Sequence, residues 1–284
     1  VYLYSGDAEE LTFPETLDGY DVVGITEEQF SNGVQPCVSD KVKKVTIPDS
    51  VTDIGEFSFA NCSSLSSIVI PDSVTSIGDY AFSDCNALEY IYLPETITFI
   101  GKNPFLNCEN LVRIEVPFNP YLATIEGVLY SKPDNRLICY PGGLTNKTCS
   151  IPYESQIIGE NAFAGCSSLV TVEIPDSITN IETWAFCGCT GLTSITIPDK
   201  VTQIEDFLFF YCDSLKDITI PDSVTSIGLY AFYQCESLSN VTIPASVINI
   251  GDGAFYYCTS LLMTVPMNSY AEQYCIDNGI SYTY

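Results

Sequence analysis

Cysteine is the residue of this chain with the most chemistry to offer, because thiolates form disulfides and bind metals. The chain has 13 cysteines and no histidine. Most of the cysteines share one position of a repeat: Cys62, Cys85, Cys108, Cys166, Cys189, Cys212, Cys235 and Cys258. Equivalent side chains of stacked coils lie about 4.8 Å apart, which is too far between Cβ atoms for a disulfide. We therefore predict a column of buried thiols.

The remaining cysteines lie off this column: Cys37, Cys139, Cys149, Cys187 and Cys275. An odd total leaves at least one thiol unpaired, and Cys139 with Cys149 is the one pair that we consider for a bridge. Cys187 and Cys189 are close enough in sequence to share a metal, but two thiolates without histidine make a poor site. We therefore predict no metal site and no cofactor.

Large aromatic residues cluster in the last coils of the repeat. They are Trp184, Phe207, Phe210, Tyr211, Tyr230, Tyr233, Tyr256 and Tyr257. One interpretation is partial burial between neighbouring coils. The other is a contact surface, because large exposed aromatic patches tend to mark interfaces. We keep both interpretations and treat these residues as candidate ligand-binding residues.

A second candidate site lies on the outward face of the predicted strands. Most outward residues there are short and hydroxylated, which is ordinary strand chemistry. Tyr90, Tyr92, Arg113 and Glu115 differ, since they combine two aromatic rings with a pair of opposite charges. We treat these four residues as candidate ligand-binding residues.

The charge of the chain excludes some functions and leaves others open. The net charge is −26, with 10 basic and 36 acidic residues, so nucleic acid is an unlikely partner. Acidic residues recur after each strand, at Asp49, Asp72, Glu95, Asp176, Asp199 and Asp222. One carboxylate per coil underfills a calcium site, so a solvated edge is the favoured interpretation. Carboxylates at the repeat spacing could also suit glycoside hydrolysis, but we predict no catalytic residues and no enzyme.

The elements that position these residues come from a repeat of 23 residues. Its prolines are Pro48, Pro71, Pro94 and Pro117 and, after one offset, Pro152, Pro175, Pro198, Pro221 and Pro244. Within one repeat, Leu65, Ile68 and Ile70 alternate with polar residues as in a half-buried strand, and Pro71 ends the strand. Such a period predicts stacked units that bury their apolar faces only against neighbours. We expect a right-handed solenoid with a parallel β-sheet on one face and short strands, turns and helical turns elsewhere.

The equivalent phenylalanines of successive coils predict the centre of the core. They are Phe59, Phe82, Phe105, Phe163, Phe186, Phe209, Phe232 and Phe255. Each buried phenylalanine contributes roughly 1.5–3 kcal/mol to folding. We predict that these side chains form one column.

We expect a single domain over residues 1–284. It comprises an N-terminal cap with an irregular first repeat (1–36), repeats (42–117), an insertion (118–150), further repeats (151–268) and a C-terminal helical cap (269–284). The insertion reads as a projecting hairpin with strands at 128–131 and 136–140. Ser269 and Glu272 predict a capping box for a short helix, and residues 1–4 alternate like a strand of the N-terminal cap. No run of about 18 apolar residues exists, so we expect no membrane insertion.

The repeat closely resembles the BspA-like leucine-rich repeat over roughly residues 11–268. The features that carry the resemblance are the Ile-Pro-Asp-Ser turn at 70–73, the Ala-Phe pair at 81–82, and the Gly-Val-Leu-Tyr insert at 127–130. The resemblance implies a leucine-rich-repeat solenoid, secreted or attached to the surface of a host-associated microbe, that adheres to proteins or glycans of a host or of neighbouring cells. Self-association in a surface layer is the alternative. The family has no shared catalytic residues, so none is carried over, and no signal peptide is recognisable in this chain.

Overall fold

The computed structural model describes residues 7–26, 28–30, 33–35 and 39–284. The chain divides into two compact units. The first reaches Pro133 and includes Leu137–Leu144, and the second comprises Asp134–Arg136 and Thr145–Tyr284. The single domain with the boundaries given above stays a prediction. Residues 1–4 and Cys37 lie outside the described residues.

Each unit is a β-solenoid, in which most coils contribute a strand of three residues and a shorter strand of two. The strands of the first unit are Glu10–Thr12, Thr16–Leu17, Tyr20–Asp21, Gly24–Ile25, Glu28–Phe30, Gly33–Gln35, Lys44–Thr46, Asp53–Ile54, Ser67–Val69, Ser76–Ile77, Tyr90–Tyr92, Phe99–Ile100, Arg113–Glu115, Leu122–Ile125 and Val128–Ser131. The strand Arg136–Cys139 is divided between the units: Arg136 is assigned to the second unit and the rest of the strand to the first.

The second unit repeats this plan and adds the only helix of the described residues. Its strands are Thr148–Ser150, Ile157–Ile158, Thr171–Glu173, Asn180–Ile181, Ser194–Thr196, Gln203–Ile204, Asp217–Thr219, Ser226–Ile227, Asn240–Thr242, Asn249–Ile250, Leu262–Thr264 and Ser281–Thr283. The helix is Tyr270–Asn278.

The register of the parallel strands equals the repeat of the sequence. Val45 pairs with Ile68 in the first unit, and Ile195 pairs with Ile218 in the second, so each residue meets its equivalent one coil later. The alternating apolar residues point inward, as the exposed–buried–exposed pattern of Ser194–Thr196 shows. The predicted solenoid of 23-residue coils is confirmed.

The phenylalanine column forms the centre of each core. In the first unit, the ring centroids of Phe59 and Phe82 lie 5.2 Å apart with nearly parallel planes. In the second, the rings of Phe186 and Phe209 lie 5.6 Å apart and are also stacked. All four side chains are fully buried. The prediction of a phenylalanine column is confirmed within each unit.

The cysteine column adds a hydrogen bond between neighbouring coils. The thiol of Cys85 donates to the carbonyl oxygen of Phe59 at 3.1 Å, and Cys212 donates in the same way to Phe186 at 3.1 Å. Every cysteine that the structure describes is a thiol, including Cys139 and Cys149. Burial raises the pKa of the Cys108 thiol to about 12, so the column is neutral near pH 7.

The insertion differs from the projecting hairpin that the sequence predicts. The strands Val128–Ser131 and Arg136–Cys139 are present, but a further strand, Leu122–Ile125, pairs antiparallel with Val128–Ser131. Leu122, Leu129 and Ile138 are buried in the core of the first unit. The prediction that the hairpin projects is therefore wrong, because its apolar residues extend the core.

The helix begins with the capping box that its sequence predicts. The hydroxyl oxygen of Ser269 accepts a hydrogen bond from the amide of Glu272 at 3.1 Å, while the Glu272 carboxylate accepts one from the amide of Asn268. Gly279 follows in the left-handed region with a φ of 67°. The strand Ser281–Thr283 then pairs parallel with Leu262–Thr264.

Candidate functional site

The structure brings the four candidate residues of the strand face together in the first unit. We call Tyr90, Tyr92, Arg113 and Glu115 the strand-face site. Parallel pairing places Tyr90 beside Arg113 and Tyr92 beside Glu115. The buried residues between them anchor both strands, so the four side chains share the outward face.

Polar contacts hold the strand-face site in one arrangement. The Tyr90 hydroxyl donates to the Glu115 carboxylate at 2.8 Å, and Arg113 forms an ion pair with the same carboxylate. The Arg113 guanidinium also lies 5.7 Å from the Tyr90 ring centroid, within the range of a cation–π contact. Burial, followed by the Glu115 hydrogen bond, raises the pKa of Tyr90, so its hydroxyl remains a donor near neutral pH.

A groove runs along one side of the strand-face site. It has a volume of about 530 Å³ and is lined by residues of Ser67–Val69 and Tyr90–Tyr92. These two strands belong to separate sheets, so the ladder is interrupted between them. Val69 lies in this groove with 65% of its side chain exposed. Sequence reasoning passed over Val69, although an apolar residue at an outward strand position was a usable signal.

The eight aromatic candidates of the last coils also lie together, in the second unit. We call Trp184, Phe207, Phe210, Tyr211, Tyr230, Tyr233, Tyr256 and Tyr257 the aromatic surface. Its first column stacks Trp184 on Phe207, with centroids 4.0 Å apart and planes 5° apart. Tyr230 continues the column at 5.5 Å from Phe207.

A second column stands at a steep angle to the first. Phe210 and Tyr233 stack with centroids 4.8 Å apart. The planes of Phe207 and Phe210 are 65° apart, and those of Tyr230 and Tyr233 are 88° apart. The two columns therefore form two walls that meet at an angle. Tyr257, 62% exposed, stands across the second wall with its centroid 5.2 Å from that of Tyr233.

The walls border an open depression lined only by aromatic residues. Its volume is about 370 Å³, and its lining residues are Phe207, Phe210, Tyr230, Tyr233, Tyr256 and Tyr257. We call this depression the aromatic trough. The repeat position that carries Tyr230 is occupied one coil later by Gly253, where a Cβ would come within 2.4 Å of the Tyr230 ring. The absent side chain at residue 253 thus leaves room for the Tyr230 ring in the wall of the trough.

Several aromatic residues of this surface adopt an unfavourable backbone conformation. Trp184, Phe207 and Tyr230 have φ values of 62°, 56° and 50°, and Tyr211 and Tyr257 have 59° and 64°. The left-handed region is costly for bulky residues. At the position equivalent to Tyr211, the coils of the first unit carry Asn61 and Asn107, which adopt this conformation at lower cost. The turn therefore does not require a tyrosine at position 211.

Carboxylates flank the aromatic surface along the chain. Asp206 precedes Phe207, and Asp213 follows Tyr211 by two residues. Burial, followed by the charge of Glu236, raises the pKa of Asp213. Burial, followed by the charges of Asp206 and Glu182, raises the pKa of Glu205. Burial is the larger cause of both pKa shifts, and the neighbouring carboxylates add to it.

The described residues contain no group of three or more histidine, cysteine or acidic side chains that could hold a metal ion. Within the same part of the chain, no helix has the length and apolar character needed to cross a membrane.

A known family of repeat proteins matches most of this chain. A family profile described as the BspA type leucine rich repeat region matches residues 36–134 and 139–262 in six copies. No curated protein matches the chain.

Solved structures of bacterial repeat proteins share the fold. A leucine rich cell surface protein from Faecalibacterium prausnitzii A2-165 is 29% identical, with a TM-score of 0.71 over 99% of this chain and 92% of that chain. The pneumococcal vaccine antigen PcpA is 19% identical, with a TM-score of 0.72 over 99% and 90%. A leucine-rich repeat protein from Eubacterium ventriosum is 22% identical, with a TM-score of 0.58 over 89% and 91%. The last two likenesses show the fold alone.

Proposed function

Because this chain belongs to the BspA-type leucine-rich repeat family, we propose that it is a non-catalytic binding protein that acts on the outside of a bacterial cell. Leucine-rich repeat proteins commonly mediate interactions rather than catalysis, and the related Faecalibacterium structure is described as a cell surface protein. The partner that we propose is a protein or glycan of a host or of a neighbouring cell.

The aromatic surface is the observation that carries this proposal. Tyr256 and Tyr257 are 49% and 62% exposed, and the rings beside them are only half-buried. The interior column of phenylalanines already fills the core, so these outer rings are not needed there. Exposed aromatic clusters of this kind supply much of the energy of protein interfaces.

Binding to immobilised targets tests the proposal. Purified chain is applied to surfaces coated with matrix proteins, mucins or glycans, and bound protein is measured. We expect binding to at least one target and a loss of about tenfold or more in affinity on Tyr233→Ala, because an aromatic anchor contributes strongly to an interface. Tyr256→Ser serves as a second variant, since its exposed side chain is removed without disturbing the core.

Tyr153→Ala is the matched control for these variants, because Tyr153 is 74% exposed in the same unit but lies outside the aromatic surface. Failure of every coated target to bind would count against the function itself. Binding that depends on Tyr92 instead of Tyr233 would assign the interaction to the strand-face site.

Self-association is a second candidate function, because the same aromatic surface would be buried if two copies met through it. Light scattering over a range of concentrations tests this version. A rising mass that Trp184→Ala abolishes would support it, and a monomer at high concentration would contradict it.

A further inference from the structure

We propose that the aromatic trough binds the guanidinium groups of an arginine-containing segment of a partner protein. This inference rests on the proposed binding function and names the chemistry of the ligand. Two features of the second unit support it, the ring geometry of the trough and the charge around it.

The ring geometry suits a flat cation. A planar guanidinium stacks on an aromatic face, and it is less strongly hydrated than an ammonium group. The two walls of the trough present ring faces at 65° to 88° to each other, so a guanidinium that stacks on one wall directs its own N–H edge at the rings of the other. Attraction between a cation and an aromatic face grows as the site excludes water, and the rings of Phe207, Phe210 and Tyr233 are half-buried.

The charge of these coils favours a cation over a neutral or anionic ligand. Between residues 203 and 260 the only basic residue is Lys216. The acidic residues of the same stretch are Glu205, Asp206, Asp213, Asp217, Asp222, Glu236 and Asp252. Asp206 immediately precedes Phe207, which lines the trough, and Asp252 immediately precedes Gly253, and both carboxylates are exposed. A glycan would gain nothing from this excess of negative charge.

The chain supplies its own reporter for this site. Trp184 is the single tryptophan, and its ring stacks on Phe207, which lines the trough. A ligand that enters the trough therefore changes the environment of the only indole. We would titrate the full chain with a tetraarginine peptide at about 150 mM salt, where long-range charge effects are screened, and follow tryptophan fluorescence.

We expect a saturable change with tetraarginine and about tenfold weaker binding of tetracitrulline, which has nearly the same shape without the charge. Tetralysine, with equal charge but no planar group, should bind several-fold more weakly than tetraarginine. Tyr233→Ala and Tyr256→Ser should each weaken tetraarginine binding by about tenfold. Asp206→Asn should weaken it by a few fold while keeping the oxygen that accepts from the amide of Leu229.

Two controls separate the trough from general attraction to an acidic protein. Tyr153→Ala removes an exposed tyrosine elsewhere in the unit, and Asp176→Asn removes an exposed charge at the turn edge, outside residues 203–260. Both should bind tetraarginine like the unmodified chain, and thermal unfolding by circular dichroism confirms that each variant is folded.

The proposal is overturned if tetracitrulline binds as tightly as tetraarginine, if Tyr233→Ala and Tyr256→Ser both leave binding unchanged, or if a neutral oligosaccharide such as tri-N-acetylchitotriose changes the fluorescence and tetraarginine does not. In each case, binding of the chain to coated targets that still depends on Tyr233 would leave the proposed function standing with a different ligand.

Discussion

At the scale of single residues, the cysteine column shows why a thiol suits the tight bend of each coil. The carbonyl oxygen of Phe186 accepts from the amide of Cys189 in its own coil at 3.2 Å. It also accepts from the thiol of Cys212 in the next coil at 3.1 Å. Cysteine is small and apolar enough for a buried position, and it still donates one weak hydrogen bond.

Replacing one thiol of the column measures that bond. Cys212→Ala should lower the free energy of unfolding by about 1–2 kcal/mol, through the lost hydrogen bond and a small cavity. Cys212→Ser keeps a donor and should lose less. Urea unfolding in the presence of reductant provides the measurement, with Cys187→Ala as a control because Cys187 is only half-buried and lies off the column. An alanine variant as stable as the original chain would show that the thiol bond contributes nothing.

Left-handed backbone at non-glycine residues is a second feature at this scale, and it can be tested apart from ligand binding. Gln234 occupies the position of Asn61 and Asn107 in its coil and has a φ of 58°. Asparagine adopts this region more readily than glutamine. Gln234→Asn should therefore raise the free energy of unfolding by about 0.5–1 kcal/mol. Gln203→Asn, in a strand, should give no such gain, and equal effects at both positions would refute the argument from backbone strain.

At the scale of elements, the helix closes the second unit through its buried face. Ala271, Tyr274 and Cys275 are buried, and the Tyr274 ring meets Phe255, the last ring of the phenylalanine column, at 6.3 Å. The helix thus covers apolar residues that the coil of Phe255 would otherwise expose.

Loss of the helix cap should weaken this closure. Ser269→Ala removes the oxygen that accepts from the Glu272 amide and should cost about 1 kcal/mol of unfolding free energy. Thermal or urea unfolding measures the change. Ser281→Ala, on an exposed position of the last strand, is the control and should change stability by less than about 0.5 kcal/mol. Equal losses in both variants would contradict the role of the cap.

The repeated elements could be predicted from the sequence, whereas the insertion could only be predicted in part. Strand positions such as Ser194–Thr196 follow from apolar alternation and the proline that ends each strand. Asn119 shows what the pattern misses: it is buried and donates to the carbonyl oxygen of Ile97 at 2.8 Å while accepting from the amide of Leu122 at 2.8 Å. Ser73 and Thr96 hold the equivalent position and donate in the same way to the carbonyl oxygens of Val51 and Val74. The repeat therefore predicts the donated bond, but not the bond that the asparagine oxygen accepts from the strand that follows.

At the scale of the whole molecule, the buried thiols couple stability to alkaline pH. Burial raises the pKa of Cys62 and Cys258 from 9.0 to about 12, and it also raises the pKa of Cys212 and Cys235. Between pH 9 and 12 an unfolded thiol is ionised and a folded one is neutral, so the unfolded state binds fewer protons. The thiols' contribution to stability is therefore complete below pH 9 and is lost as pH rises toward 12.

Unfolding in urea at pH 8, 9 and 10 under reducing conditions tests this coupling. We expect a small change between pH 8 and 9 and a steep fall above pH 9, at about 1.4 kcal/mol per pH unit for each thiol that remains neutral in the folded state. In Cys212→Ser the free energy of unfolding should fall less steeply with pH, because the variant has one buried thiol fewer. A free energy of unfolding that stays level to pH 10 would contradict the raised thiol pKa values.

The membership of the two candidate sites was predictable from the sequence, but their shapes were not. The repeat places Phe207 beside Tyr230, and Tyr90 beside Arg113, by counting alone. The angle between the two aromatic columns depends on left-handed turns such as that at Trp184, and the groove at Val69 depends on an interrupted ladder. The left-handed turns do recur at the repeat spacing, at Trp184, Phe207 and Tyr230, but the residue pattern specifies neither the angle between the ring planes nor the break in the ladder.

Because the strands pair with a register equal to the 23-residue repeat, the chain can change its length by whole repeats. When 23 residues are removed or duplicated within a regular run of coils, each strand residue still pairs with a residue at the same repeat position, as Ile195 pairs with Ile218. A deletion of one residue within a strand would instead turn inward residues outward. Recombination between repeats of the gene can therefore shorten or lengthen the protein by whole coils, and each exchange brings a new set of outward side chains without a new fold.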